Sequence, residues 1–192
     1  MTKKVLILLA DGFEEVEAVG TGDVLKRLGC KCVMAGLDSD RVRSSASLYI
    51  CADTLLDTLL ADSSSLYSFD AVVLPGGLPG ATNLRDDARV KKIVTDFAAE
   101  GKIVAAICAA PAALSSFGVL NGRKVTGYPG CERLSPVSDL AFTGSRTERD
   151  GNIVTGKGPG ASLEFGAEIG RALGIEEEKI TATLDAMFVV RG

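Results

Sequence analysis

Histidine and tryptophan are both absent from this 192-residue chain. Without histidine, one chain cannot build a Ser-His-Asp triad, a Cys-His dyad or a histidine-ligated zinc site. A long apolar segment is also missing near the start, because the run from Val5 to Ala10 is closed by Asp11. Such a run is too short for a signal-peptide core or a membrane span. We therefore expect no membrane partner.

An excess of basic residues is missing as well. The chain has 21 Lys and Arg against 25 Asp and Glu, a net charge of −4 and a sequence pI near 5.0. A nucleic acid would need a basic face, so we expect no nucleic-acid partner. Hydrophobic residues make up 46% and charged residues 24%, which is typical of globular proteins and excludes disorder. The length predicts a single domain over residues 1–192.

The cysteines contain no C-x-x-C pair and are odd in number: Cys30, Cys32, Cys51, Cys108 and Cys131. This usage predicts reduced thiols in a cytoplasmic protein, most of them small buried side chains. We predict no metal and no cofactor. The segment from Gly156 to Ala161 fits the dinucleotide pattern G-x-G-x-x-A. It contains Pro159 and precedes the penultimate helix, which leaves no room for a second nucleotide-binding half.

Short apolar runs alternate with stretches of helical periodicity. The runs cover residues 5–10, 32–37, 48–52, 71–75, 103–108 and 152–155, and the helical stretches cover residues 15–28, 54–61, 88–99, 109–116, 161–173 and 176–187. Strands that are apolar throughout are typical of parallel sheets buried on both faces. The pattern predicts an α/β fold, doubly wound, with helices on both faces of a mostly parallel sheet. Turn signals in 120–150 leave room for one or two short strands.

Ligands of such sheets bind at the carboxyl ends of the strands. Four strand-to-helix junctions should meet there, at residues 10–17, 74–80, 107–111 and 156–162. In the first helix, Glu17 falls in phase with Val24 and Leu28, on the face that packs against the sheet. A carboxyl group there is costly unless it is bonded or protonated, so its pKa should be raised. The alternative is a rotated or frayed helix in which Glu17 reaches water.

Cys108 lies between a buried strand and a helix that Pro111 helps to begin. This strand–turn–helix order is that of a nucleophile elbow, and a helix N-terminus favours the thiolate and lowers the thiol pKa. The alternative is an inert buried cysteine. In the turn at residues 74–77, the backbone amides of Gly76 and Gly77 are suited to bind an anion. The alternative is that Pro-Gly-Gly is an ordinary turn.

The segments DGFEEVEAV, VVLPGG, IVAAICAAPA, VTGYP and GKGPGAS follow one another in this order. Together they resemble the ThiJ/PfpI superfamily, in particular the branch of the parkinsonism-associated protein deglycase and YajL. The likeness extends from Val5 to about Asp185. It implies a flavodoxin-like fold and a homodimer.

The resemblance also implies roles for individual residues. Cys108 would be the reactive cysteine, bonded by protonated Glu17. The site's backbone amides would come from the glycine turn, Gly76 and Gly77, and from Ala109, and the residues lining it would be Tyr128, Gly158 and Pro159. Many members have histidine at the position of Tyr128, and proteases of the superfamily have histidine at that of Ala109. An arginine that approaches the partner's site in some members is replaced near Ala46.

The function implied is a cysteine-dependent, cofactor-independent glyoxalase or deglycase. It would act on methylglyoxal or on its early protein adducts, so the partners would be a small carbonyl substrate or a glycated protein, in defence against carbonyl and oxidative stress. The alternative is a non-enzymatic redox sensor or chaperone regulated by oxidation of Cys108.

A dimer interface is predicted on the outer side of the first helix. The helical phase that buries Glu17 leaves Val16 and Val19 exposed, with Gly20 and Gly22 nearby. Exposed apolar residues beside small ones permit close helix approach and often mark an interface. The alternative is that these are scattered surface valines without a role.

Overall fold

A seven-stranded sheet lies at the centre of the computed structural model, which describes residues 2–135 and 141–189. A separate pair of short strands forms a hairpin. The strands in chain order are β1 (Lys4–Leu9), β2 (Lys31–Gly36), β3 (Arg41–Arg43), β4 (Tyr49–Cys51), β5 (Thr54–Leu55), β6 (Ala71–Leu74), β7 (Ile103–Ile107), β8 (Thr147–Asp150) and β9 (Ile153–Gly156).

The strand order of the sheet is β5-β2-β1-β6-β7-β9-β8. Every neighbouring pair is parallel except β8 and β9, which are antiparallel. The chain builds outward from β1 to β2 and β5, then crosses to β6 on the other side of β1. The side chains of β1, β6 and β7 are almost completely buried, as their uninterrupted apolar sequences predict. The predicted flavodoxin-like, doubly wound fold is confirmed.

The helices form two groups. In one group, α1 (Glu15–Arg27), α7 (Ser162–Ala172) and α8 (Glu177–Ala186) contact one another. In the other, α4 (Gly80–Asp86) contacts α5 (Ala88–Ala99) and α6 (Pro111–Ser116). No helix in residues 2–135 or 141–189 combines the length and the apolar character needed to cross a membrane. The remaining helices are α2 (Leu56–Ala61) and α3 (Ser63–Leu66), and 3-10 turns lie at Cys131–Leu134 and Pro159–Ala161.

The prediction of a buried strand at 48–52 is wrong in its placement. Strand β4 pairs antiparallel with β3 in the hairpin, outside the main sheet. The side chains of Tyr49 and Cys51 are exposed, and the guanidinium of Arg41 lies 4.2 Å from the centre of the Tyr49 ring. A cation stacked on the ring compensates for its exposure to water, so a run that reads as apolar can lie on the surface.

Other differences concern short elements. The predicted helix at 54–61 begins with the two-residue strand β5, and α3 and α4 were not predicted. The stretch 120–150 contains β8 and the 3-10 turn at Cys131–Leu134, while residues 136–140 lie outside the described residues. The predicted C-terminal helix is confirmed as α8.

Helices α1 and α7 cross closely because glycine lies at their contact. A Cβ atom on Gly166 would lie 3.0 Å from Val24 Cβ and 3.1 Å from the Thr21 carbonyl oxygen. A Cβ on Gly20 would meet Ser162 and Leu163 of α7 at an ordinary 3.5 Å, and Gly22 packs against Met34 and β1. Gly20 and Gly22 therefore face the inside of the protein. The prediction that they permit close approach of a partner helix at the interface is wrong.

We expect the same substitution to have opposite effects at these two glycines. Gly20→Ala should raise the free energy of unfolding by about 0.5–1 kcal/mol, because alanine loses less backbone entropy in a helix. Gly166→Ala should lower it by about 1 kcal/mol, because the new methyl group meets rigid atoms of α1. Urea unfolding of both variants measures the difference. Equal stabilisation by the two substitutions would contradict this packing.

Candidate active site

Four loops meet at the carboxyl edge of the sheet, as their common position predicts. The N–H of Glu14 donates to the carbonyl of Gly76 at 2.9 Å, which joins the first loop to the glycine turn. The N–H of Cys108 donates to the carbonyl of Gly156 at 2.9 Å, which joins the third loop to the fourth. The glycine turn in turn contacts Cys108 directly. Residues far apart in the chain are thereby held in one cluster.

Cys108 has a backbone conformation that is rare for its residue type. Its φ of +63° lies in the left-handed region, which costs a residue with a side chain of the order of 1–3 kcal/mol. The strain is held by bonds on both sides, because the carbonyl of Cys108 accepts from the N–H of Tyr128 at 2.8 Å. This is the sharp turn of a nucleophile elbow, and it turns the thiol toward the edge of the sheet.

Glu17 is completely buried, as the phase of α1 predicts. Its Oε2 atom accepts the N–H of Gly76 at 2.8 Å, whereas Oε1 is buried and has no hydrogen-bond partner within the described ranges. Burial raises the pKa of Glu17 from 4.5 to about 7, although bonds from Cys108 and Gly76 act in the opposite direction. The carboxyl group is therefore close to half-protonated at neutral pH, with one oxygen free for a proton or a ligand.

Gly76 allows the carboxyl group and the thiol to approach each other. A Cβ atom on Gly76 would lie 2.6 Å from Cys108 Cβ and 2.8 Å from Glu17 Oε2, so any side chain would displace one or the other. Because its N–H is bonded to Glu17, Gly76 does not offer the free amide that the motif implied. It positions the carboxyl group instead.

Two other amides are directed to the sulfur or left free. Gly77 has a φ of +82°, a conformation that glycine adopts without strain, and its N–H bonds to the Cys108 sulfur and lowers the pKa of the thiol. Ala109 is buried, and its N–H has no acceptor in the part of the chain that the structure describes. Both amides are therefore suited to an anion formed next to the sulfur.

The expectation of a lowered Cys108 pKa is wrong. Burial raises the pKa of the thiol, and the charge on Glu17 raises it further. The helix that follows, α6, has only six residues, so its dipole does not offset these effects. The thiol consequently needs a proton acceptor, and the neighbouring carboxyl group, with a pKa of about 7, is one.

The other residues named from the resemblance lie at the mouth of the site. A Cβ on Gly158 would be 3.2 Å from Tyr128 Cδ2, so the tyrosine ring lies against the fourth loop. The side chain of Tyr128 is half exposed. Pro159 begins a 3-10 turn, and its own carbonyl oxygen accepts a hydrogen bond from Ser162 Oγ at 2.7 Å.

Sequence reasoning missed the groups that fix the fourth loop from outside. The guanidinium of Arg146 donates to the carbonyl of Gly160, and Lys157 Nζ donates to the carbonyl of Gly144 at 3.0 Å. It also gave no place near the site to Cys131, whose charge contributes to the raised pKa of Cys108. No motif or periodicity identifies these residues, because each acts across a turn of irregular length.

The raised pKa of Glu17 predicts a pH dependence of stability. Between 4.5 and about 7 the folded protein holds a proton that the unfolded chain releases. The free energy of unfolding should therefore fall as pH rises through this window, by at most about 3 kcal/mol from this group. Glu17→Gln removes the titration, so wild type should lose stability relative to this variant between about pH 5 and about pH 8 in urea unfolding. Glu178→Gln, at an exposed position, is the control. The assignment would be refuted if the difference in free energy of unfolding between wild type and Glu17→Gln were as constant with pH as the difference between wild type and the control.

Comparisons with known proteins agree with the motifs. The model of the DJ-1/PfpI family matches residues 3–172. The chain is 38% identical over 186 residues to Parkinson disease protein 7 homolog of Danio rerio, which covers 96% of this chain and 93% of that protein. It is 30% identical over 174 residues to glutathione-independent glyoxalase DJR-1.2 of Caenorhabditis elegans, with 87% of each covered.

A solved structure agrees equally well. The crystal structure of Drosophila melanogaster DJ-1beta superposes with a TM-score of 0.90 at 34% identity, covering 100% of both chains. The relatives therefore align along nearly the whole chain, and one of them is a glyoxalase by name. The resemblance inferred from the five motifs is confirmed, and the chain belongs to the DJ-1/PfpI family.

Proposed function

We propose that the protein is a cysteine-dependent, cofactor-independent glyoxalase that converts methylglyoxal to lactate. The observation that carries the proposal is the buried carboxyl group of Glu17, with one unpartnered oxygen, beside a cysteine at a strained elbow. The name of the Caenorhabditis elegans relative supports this reaction class. Action on early protein adducts of methylglyoxal, which would make it a deglycase, is the wider form of the same proposal.

The first step is addition of Cys108 to the aldehyde carbon. The sulfur forms a bond to this carbon while the thiol proton passes to the Glu17 carboxylate, and the aldehyde oxygen becomes an alkoxide. The amides of Gly77 and Ala109 would bind this oxygen. A single donor of this kind contributes about 2.7–4 kcal/mol in other oxyanion holes.

The second step is a proton shift between the two carbons. Glu17 returns its proton to the oxygen, then takes the proton from the former aldehyde carbon and delivers it to the neighbouring carbon, while the hydroxyl proton of the adduct passes to the former ketone oxygen. This leaves a thioester of lactate on Cys108, and water hydrolyses it to lactate and the free thiol. One group must donate and accept in turn, and a pKa of about 7 suits both roles at neutral pH.

Two substitutions should separate the roles of the pair. Cys108→Ser should abolish methylglyoxal turnover, because the hydroxyl is a far weaker nucleophile than the thiol. Glu17→Gln should lower turnover by at least about tenfold, because the amide keeps the hydrogen bonds but cannot carry a proton. Lactate formation by purified protein is the measurement. Cys51→Ser, which changes an exposed cysteine on the hairpin, is the matched control.

Retained turnover in either site variant, with an unchanged melting temperature, would remove that residue from the mechanism. Loss of turnover in the Cys51→Ser control to the same extent would assign the effect to a general sensitivity to cysteine substitution.

Redox sensing through Cys108 is the second candidate, and the free amide of Ala109 favours it. An oxidised sulfur carries oxygen atoms that backbone N–H groups stabilise, and neutral Glu17 would add a further hydrogen bond. The altered charge would change the binding of a partner or of a chaperone client. A cytoplasmic location, with all five cysteines free, is proposed for either function.

We also propose a homodimer through the outer side of α1. The side chains of Val16 and Val19 are 50% and 43% exposed, and the hairpin beside them exposes Leu48 and Tyr49. The hairpin is held next to α1 by a bridge between Phe13 and Ser44. Several apolar side chains exposed on neighbouring elements are the composition expected of an interface.

A charge at Val16 should therefore separate the subunits. In a two-fold interface, Val16→Asp acts twice and brings like charges together, so we expect a monomer by light scattering. Phe188→Asp, at a side chain that is 91% exposed on the C-terminal segment, should leave the dimer intact. A monomeric wild type, or a dimeric Val16→Asp variant, would refute the interface.

A further inference from the structure

Cys131 is joined to Cys108 by two successive backbone hydrogen bonds. The carbonyl of Cys108 accepts from the N–H of Tyr128 at 2.8 Å, and the carbonyl of Tyr128 accepts from the N–H of Cys131 at 3.0 Å. The second thiol therefore lies one turn away from the elbow, on the loop that borders the site. None of the roles derived above uses it.

The surroundings of Cys131 would allow its thiol to reach the thiol of Cys108. It is partly buried and packs against the hydrophobic core to which Cys108 belongs. The charge on Glu17 contributes to the pKa of both thiols, so the three groups lie within electrostatic reach of one another. Gly130, just before Cys131, has a φ of +93°, and no atom lies within 4 Å of the place where its Cβ would be. The loop has free space at that point.

The other cysteines are placed differently. Cys30 and Cys32 lie at the amino end of β2, a strand of six residues that spans about 20 Å, whereas Cys108 lies at the carboxyl edge of the sheet. Cys51 lies on the separate hairpin. Cys131 is thus the thiol that the fold places beside the elbow.

We propose that Cys131 is a resolving cysteine, which forms a disulfide with Cys108 after a hydroperoxide has oxidised Cys108. The proposal rests on the proposed reactivity of Cys108 and specifies how this site is regulated. It needs the loop to bring the two Cα atoms within about 7 Å, the upper limit of disulfide geometry.

The reaction balances with a hydroperoxide as the oxidant. The Cys108 sulfur attacks the terminal oxygen, the O–O bond breaks, and the leaving oxygen takes the thiol proton by way of Glu17, giving water or an alcohol and a sulfenic acid. The sulfur of Cys131 then attacks the Cys108 sulfur, the S–O bond breaks, and hydroxide leaves with the Cys131 proton as water. Two thiols are oxidised by two electrons, and one peroxide is reduced.

The disulfide would reversibly block the nucleophile of the proposed glyoxalase. It would also intercept the sulfenic acid before a second peroxide converts it to the irreversible sulfinic acid. A thiol reductant would then restore Cys108. The site would thus respond to peroxide by switching off rather than by being destroyed.

Peptide mapping after treatment with hydrogen peroxide tests the pairing. Trypsin releases Cys108 in residues 103–123 and Cys131 in residues 125–133, so their disulfide links two separate peptides. We expect the linked pair in the oxidised wild type and its loss on reduction. In Cys131→Ser we expect Cys108 sulfinic acid to rise on the order of tenfold at the same peroxide dose. Cys51→Ser should behave as wild type.

Oxidation of wild-type Cys108 to sulfinic acid without the linked peptides would overturn the proposal, as would equal sulfinic acid in wild type and Cys131→Ser. The wild-type mapping does not depend on whether a variant folds. Methylglyoxal turnover by the reduced wild type is measured separately, so failure of the glyoxalase proposal and failure of the disulfide are distinguishable.

Discussion

The hydrogen bond from the Gly76 amide to the Glu17 carboxyl group links the two halves of the site. It joins the first turn of α1 to the end of β6, and the same glycine contacts Cys108 at the end of β7. Because three parallel strands deliver these residues to one edge, small changes in the register of any strand would separate them. The rigid sheet therefore sets the distance between Glu17 and Cys108, which loops alone would hold less well.

The site keeps two unfavourable features in a well-packed frame. A completely buried carboxyl group and a non-glycine residue at positive φ each destabilise the folded protein. Both are tolerated because the side chains of strands β1, β6 and β7 beneath them are almost completely buried. Such features are concentrated where the chemistry is expected, which is the usual relation between strain and function.

Periodicity and the order of elements made the main sheet, the burial of Glu17 and the elbow at Cys108 predictable. These follow from the pattern of apolar residues and from the position of Pro111, which are local properties. The hairpin containing Tyr49 was misplaced because a stacked arginine compensates for an exposed ring, a tertiary contact that no run of residues reveals. The direction of the Cys108 pKa was also missed, since burial and a facing carboxyl group depend on the assembled site. The short helix α6 could not counteract them.

In the proposed reaction, the lack of histidine would give the carboxyl group a double task. In a site with an imidazole, one group can accept the thiol proton while another delivers a proton to the substrate oxygen. Here Tyr128 lies at the mouth, and Glu17 is the buried group beside the sulfur whose pKa, about 7, suits it to exchange protons near neutral pH. In the proposed reaction, its charged form would be needed for the attack and its neutral form for the return of the proton, so catalysis would be favoured where both are populated. The burial that makes Glu17 costly for stability is therefore the same property that would let one residue serve both proposed steps.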